Sequence, residues 1–175
     1  MSGGSERGVW TADEIEVHVA GLFTTHHLMQ TAMGLLGELS LPVFSRRGVF
    51  RCVDGRELDV ERTSWWRGWH ELRENGVVLG TARPLGFWRR AMSVGFRGQM
   101  YELVPTSFWC RGWYLVDEAG TILMEVQPRG IFRRGAYVMI REPVDADLLV
   151  FTYYLVHARW QEQSTAASGA AAAGS

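Results

Sequence analysis

Apolar and polar residues alternate with period two along most of this chain, and the alternation gives way once, near the C-terminus. Trp88, Met92, Val94 and Phe96 share one face of an extended segment, and so do Phe132, Ala136, Val138 and Ile140; such alternation predicts strands with one face in a core. Short loops ending in glycine separate the segments: Glu74-Asn75-Gly76 and Glu118-Ala119-Gly120, with Met33-Gly34 at the corresponding place earlier. A loop of that kind supplies the left-handed residue a hairpin needs. Pro84-Leu85-Gly86 and Pro128-Arg129-Gly130 punctuate the next pair of segments in the same way.

These signals recur. Residues 54–64 (DGRELDVERTS) match residues 97–107 (RGQMYELVPTS) at an offset of 43 through Gly55/Gly98, Thr63/Thr106 and Ser64/Ser107, and Trp66 falls on Trp109. With one inserted residue the offset becomes 44, and Trp69/Trp113, Gly76/Gly120, Pro84/Pro128, Gly86/Gly130 and Arg89-Arg90/Arg133-Arg134 coincide. A fainter first copy covers roughly residues 14–53, with Arg46-Arg47 in place of the later arginine pairs. Internal repetition at this period points to one unit used three times. The third unit divides into four strands, about Gln99–Val104, Trp109–Asp117, Thr121–Gln127 and Ile131–Arg141. Three such units make twelve strands over residues 14–141.

Past Pro143 the pattern changes. Asp145 suits a helix N-cap, and Leu148 to Val156 is apolar on every side except Thr152. A helix over 145–160 without a polar face must lie inside protein or lipid, and the apolar stretch is shorter than the roughly 20 residues that span a bilayer. A barrel of about twelve strands has a lumen too wide for its own side chains to fill. The fold expected is therefore mainly β: a closed barrel of about twelve strands with one buried C-terminal helix through its lumen.

Composition adds boundaries. The chain has 175 residues, 47% of them hydrophobic, which suits one domain over residues 10–160. The segments 1–9 and 161–175 are small and polar and read as disordered tails. A formal net charge of −1 gives no field that would draw nucleic acid. All 18 basic residues are arginine, which points to a GC-rich coding sequence and a bacterial source. Cys52 and Cys110 fit no metal or redox spacing and read as small buried hydrophobes in a reducing, cytoplasmic setting. The N-terminus MSGGSERG lacks the apolar run of a signal peptide.

The aromatic-Arg-Arg turns Phe87-Trp88-Arg89-Arg90 and Ile131-Phe132-Arg133-Arg134, with the terminal Asp147-Leu148-Leu149-Val150-Phe151, give residues 14–160 a resemblance to the tubby C-terminal-like superfamily. Within it the pattern is most similar to the LURP-one-related and scramblase-like groups. The resemblance implies the helix-filled barrel. It also implies, for some members, binding of phosphoinositides or other lipids.

The candidate ligand residues are arginines. Arg46, Arg89 and Arg133, one per unit, would stand at equivalent heights around one rim, where guanidinium forks could hold phosphate. Their ordinary role is cross-strand pairing, with Arg133 opposite Glu125 and Arg46 near Glu38, and pairing is the favoured of the two. Arg67 and Arg111 each precede a Gly-Trp. They could form a cation–π shelf with Trp69 and Trp113, although local surface stacking is the commoner arrangement. His26-His27 is the one histidine cluster, and adjacent strand residues face opposite ways, so no metal site is expected. Asp145 and Asp147 are read as helix-capping residues rather than a calcium loop, which would need a glycine at its bend. Nucleophile elbows, phosphate-binding glycine loops and paired cysteines are absent. The sequence thus leads to a non-enzymatic binding or scaffold module with no cofactor and no transmembrane span. It is expected in the cytoplasm or peripheral at the membrane, taking anionic lipid or phosphate headgroups. The alternatives are a protein-interaction subunit without a lipid role and a scramblase-like lipid-handling protein.

Overall fold

Ile15 and Val17 are fully buried, whereas Glu14, Glu16 and His18 alternate with them on the outer face of the same strand. This alternation runs through the whole fold, a computed structural model that describes residues 9–10, 14–21, 24–42, 46–64, 66–86, 91–106, 111–130 and 134–172. The strands are β1 (Val9–Trp10), β2 (Glu14–Ala20), β3 (Thr24–Thr31), β4 (Gly34–Pro42), β5 (Arg47–Cys52), β6 (Glu57–Ser64) and β7 (Trp69–Glu74). They continue as β8 (Val77–Leu85), β9 (Ala91–Phe96), β10 (Gln99–Pro105), β11 (Trp113–Asp117), β12 (Ile122–Pro128), β13 (Gly135–Ile140) and β14 (Val144–Asp145), followed by helix α1 (Ala146–Ala172). Strands β2 to β13 form a closed antiparallel barrel in which each pairs with the next in sequence, and β13 pairs with β2 to shut it. β1 and β14 form a separate ribbon. The twelve-stranded closed barrel with a buried C-terminal helix is as the sequence predicts.

The three units are β2–β5, β6–β9 and β10–β13, and the register shows where the inserted residue lies. In the second strand of each unit, His27 faces Leu39, His70 faces Ala82 and Trp113 faces Val126 across the ladder. Two residues on, Met29 faces Gly37, Leu72 faces Gly80 and Leu115 faces Met124, and the register shifts immediately after each. Trp113 therefore occupies the place of His70, not of Trp69 as the spacing had indicated. The extra residue sits in the following turn. There the third unit uses the three residues 118–120 between Asp117 and Thr121, whereas Glu74 and Val77 leave only Asn75-Gly76. Asn75 and Gly76 have φ of 50° and 81°, the left-handed pair of a turn whose twist matches its strands.

Helix α1 fills the lumen. Leu148, Leu149, Phe151, Leu155 and Val156 are at most 1% exposed, and Thr152 returns its hydroxyl hydrogen bond to the Leu148 carbonyl at 2.8 Å. Room for Phe151 comes from Gly80: a Cβ there would stand 3.2 Å from the Phe151 and Phe96 rings. The helix starts at the end of the barrel formed by the β5–β6 and β9–β10 turns, the entry rim. Asp145 accepts the Asp147 N–H at 2.8 Å, the N-cap its sequence position indicates. Asp147, with its side chain 3% exposed, receives Arg97 at 2.7 Å and Arg56 at 3.3 Å. At the opposite end, the exit rim, Trp160 donates its indole N–H to the Arg111 carbonyl at 2.7 Å.

Three expectations are corrected. The helix does not stop at 160 but runs to Ala172, because the segment read as a disordered tail is rich in alanine, the strongest helix former; residues 1–8 lie outside the described residues. Glu38 faces Arg51, not Arg46, because the β4–β5 connection is long enough to set the ladder further from the turn. Glu125, expected opposite Arg133, faces Met139 instead and pairs diagonally with Arg141 at 3.1 Å for the same reason; Arg133 itself lies outside the described residues.

Candidate arginine-lined cleft

Between the end of the β4–β5 connection and the emerging helix lies an open cleft of about 1010 Å³. Arg46 sits at its edge, immediately before β5, and is exposed. Its carbonyl accepts the Arg62 N–H at 2.9 Å, which ties this connection to β6. Arg47 reaches Asp59 with Nε at 3.0 Å and Nη2 at 2.7 Å. Arg62 and Arg159 enter from β6 and α1 with side chains only 23% and 13% exposed. Both hold Glu162: Oε1 is 3.0 Å from Arg62 and Oε2 is 2.9 Å from Arg159. Among the described lining residues there are thus four arginines and one carboxylate.

The floor of the cleft is neutral. His70 lies opposite Arg62 in the ladder and shares a 3.1 Å hydrogen bond with the Tyr154 hydroxyl. Burial, reinforced by the Arg62 and Arg159 charges, lowers His70 to about 3. His157 also lines the cleft, and burial lowers it to about 4. It packs edge-on against His27, ring centroids 4.5 Å apart. His27 in turn meets the Tyr153 hydroxyl at 2.7 Å, and burial together with the neighbouring His157 and His26 lowers it to about 3. Trp66 stands beside this neutral floor with its indole 83% exposed.

Arg67 stacks 5.1 Å above the Trp69 ring centroid. Trp113 is a core residue, 3% exposed, so Arg111 has no tryptophan shelf there; its carbonyl instead anchors Trp160. Arg134 belongs to the same rim and donates to the Gly21 carbonyl at 3.4 Å. Arg89 and Arg133 lie outside the described residues, as does Cys110. Cys52 is half-buried against the core, and burial pushes its thiol up to about 11. His26 turns outward to Glu38 while His27 turns inward. Among the described residues no cluster of His, Cys, Asp and Glu could hold a metal, and no helix is long and apolar enough to cross a membrane.

Of the three candidate arginines among the described residues, Arg46, Arg67 and Arg111, Arg46 is the one that lines the cleft. Arg62, Arg159 and Glu162 were not anticipated. The i, i+3 spacing of Arg159 and Glu162 would have pointed to the last two had the helix been extended past 160.

The architecture, a closed twelve-stranded antiparallel barrel filled by a C-terminal helix, has a counterpart among solved structures. An X-ray structure of a protein from Arabidopsis thaliana is similar in fold, with a TM-score of 0.54 and 13% identity, covering 83% of this chain and 89% of that chain. That plant protein has the LURP/tubby-like fold. No protein-family model and no curated protein matches the chain.

Proposed function

We propose that this chain is a non-enzymatic binding module whose exit-rim cleft takes anionic, phosphate-bearing headgroups, in the cytoplasm at a membrane face. The observation that carries this reading is the excess of arginine in the cleft: Arg46, Arg47, Arg62 and Arg159 against Glu162. Guanidinium forks match phosphate oxygens two at a time, and the exposed Trp66 ring suits the boundary between headgroup and water. Co-sedimentation with vesicles tests it. The protein should pellet with phosphatidylcholine vesicles only when phosphatidylserine or phosphatidylinositol phosphates are included. Added salt should release it, because exposed charges are screened beyond about 8 Å at physiological ionic strength. Replacing Arg46 by Gln should weaken the binding. No pelleting at low salt with either anionic lipid would overturn the reading.

A different observation favours a protein-interaction role as the second reading. Of the exposed large hydrophobic side chains among the described residues, Met33, Leu35, Val53, Val77, Val78, Met100 and Ile122 all stand on or beside the turns of the entry rim. Apolar groups gathered at one end of a protein mark contact surfaces. Under this reading Val77→Asp abolishes an association seen by analytical ultracentrifugation and leaves vesicle binding unchanged.

A further inference from the structure

Glu162 holds the place where an anion would sit. Its two carboxylate oxygens go to two different arginines, Oε1 to Arg62 on β6 and Oε2 to Arg159 one helical turn before it. A bridging oxyanion between two guanidinium groups is how phosphate oxygens are held. The carboxylate comes from the stretch of α1 that has already left the lumen. Gln161, Ser164 and Thr165 of the same stretch line the cleft with it, while inside the barrel Val156 is fully buried. The barrel wall holds the helix up to about Trp160, whose indole is fixed to the Arg111 carbonyl. Beyond that point the described contacts to the barrel lie at its rim, the Arg62–Glu162 pair among them, and helix ends of this kind open at little cost.

Resting on the headgroup-binding reading, we propose that Glu162 is a built-in competitor. It occupies the Arg62–Arg159 pair in the free protein, and a dianionic phosphate group displaces it. Being on the same chain, the carboxylate has a high effective concentration at the site, so a singly charged anion with two acceptor oxygens gains nothing over it. A phosphate monoester brings a second negative charge and a third acceptor oxygen, and Arg46 stands at the cleft edge to receive it. The site therefore selects phosphate monoesters over carboxylates and phosphodiesters. The same chemistry is presented by phosphatidylinositol phosphates and by free phosphate.

Glu162→Gln keeps the side-chain shape and removes the competing charge. Binding of the wild-type protein and this variant is measured in three arms: vesicles with phosphatidylinositol phosphates, vesicles with phosphatidylserine, and inorganic phosphate in solution. Glu162 is about a third exposed, which keeps each of its ion pairs weak, so releasing two of them should tighten binding roughly three- to tenfold, in the phosphoinositide arm and, if free phosphate is the ligand, in the solution arm. Arg62→Gln should lose the binding in both proteins. A thermal melt of each variant establishes that it is folded. If wild type binds phosphoinositide vesicles and folded Glu162→Gln binds them equally or more weakly, Glu162 is an ordinary staple: this inference fails while the headgroup reading stands. If only the variant binds, the inference is supported directly. If neither binds in any arm, both readings fall.

Discussion

Buried polar side chains decide how this protein answers to charge at the scale of single residues. Asp147 is nearly inaccessible and sits between Arg97 and Arg56, with Asp145 beside it also paired to Arg97 at 2.7 Å. Removing one member of such a group leaves the others desolvated and uncompensated. Asp147→Asn should lower stability by about 2–4 kcal/mol, measured by urea unfolding. The interior histidines make a second prediction. His27 and His70 are lowered to about 3 and His157 to about 4, each mainly by burial, from an ordinary value of 6.5. All three are neutral in the folded protein, so below that value the unfolded chain binds more protons than the folded one. The stability they contribute is complete above about pH 6.5 and drains away as pH falls toward their folded values. The melting temperature should therefore be level near neutrality and drop steadily below about pH 6. In His70→Gln the drop should be shallower. An unchanged pH profile in that variant would mean His70 is already protonated in the folded state.

At the scale of elements, strand faces and hairpins were legible because they depend on neighbours in sequence. Ala136, Val138 and Ile140 turn inward as their alternation indicates, and Met92, Val94 and Phe96 do likewise. Ladder register was less legible. Two turn residues more or less leave the alternation intact but move every cross-strand partner, which is why Glu38 met Arg51 and Glu125 met Met139. The same ambiguity hid the equivalence of Trp113 with His70, since an inserted residue can be placed before or after a strand without changing its sequence. The cleft was the least legible feature: Arg46 and Arg62 meet across the β5–β6 hairpin, but Arg159 and Glu162 reach them only because α1 threads the lumen and emerges beside them. The contact between α1 and its barrel is a lock of two parts, Phe151 and the space at Gly80. Phe151→Ala should cost about 3–5 kcal/mol through the cavity it leaves. Gly80→Val should also destabilise, because its extra carbons would enter the Phe151 and Phe96 rings. If the two were merely adjacent, combining them would give additive losses. The lock predicts that the double variant recovers part of the loss, the valine filling space the ring has vacated.

For the molecule as a whole, lumen and helix are one core. A chain ending before Asp145 would expose the inner faces of twelve strands, and it should aggregate or show no cooperative melting transition by calorimetry. Ending the chain at 165 should leave the melting temperature unchanged, because the small residues beyond it offer little apolar surface to bury. A normal cooperative transition in the shorter protein would mean that the barrel closes without its plug. The closure itself has a further consequence. Every neighbouring strand pair except β13–β2 is joined by a short connection, so eleven pairings can form as the polypeptide leaves the ribosome while the twelfth must wait. Until then the protein is an open curved sheet with two bare edges, and α1, which is synthesised after all twelve strands, has to be laid along its concave side before the seam can shut around it. The β2 edge that waits longest carries Glu14, Glu16 and His18 on its outer face, charged and polar groups of the kind that keep an exposed strand edge from recruiting another chain.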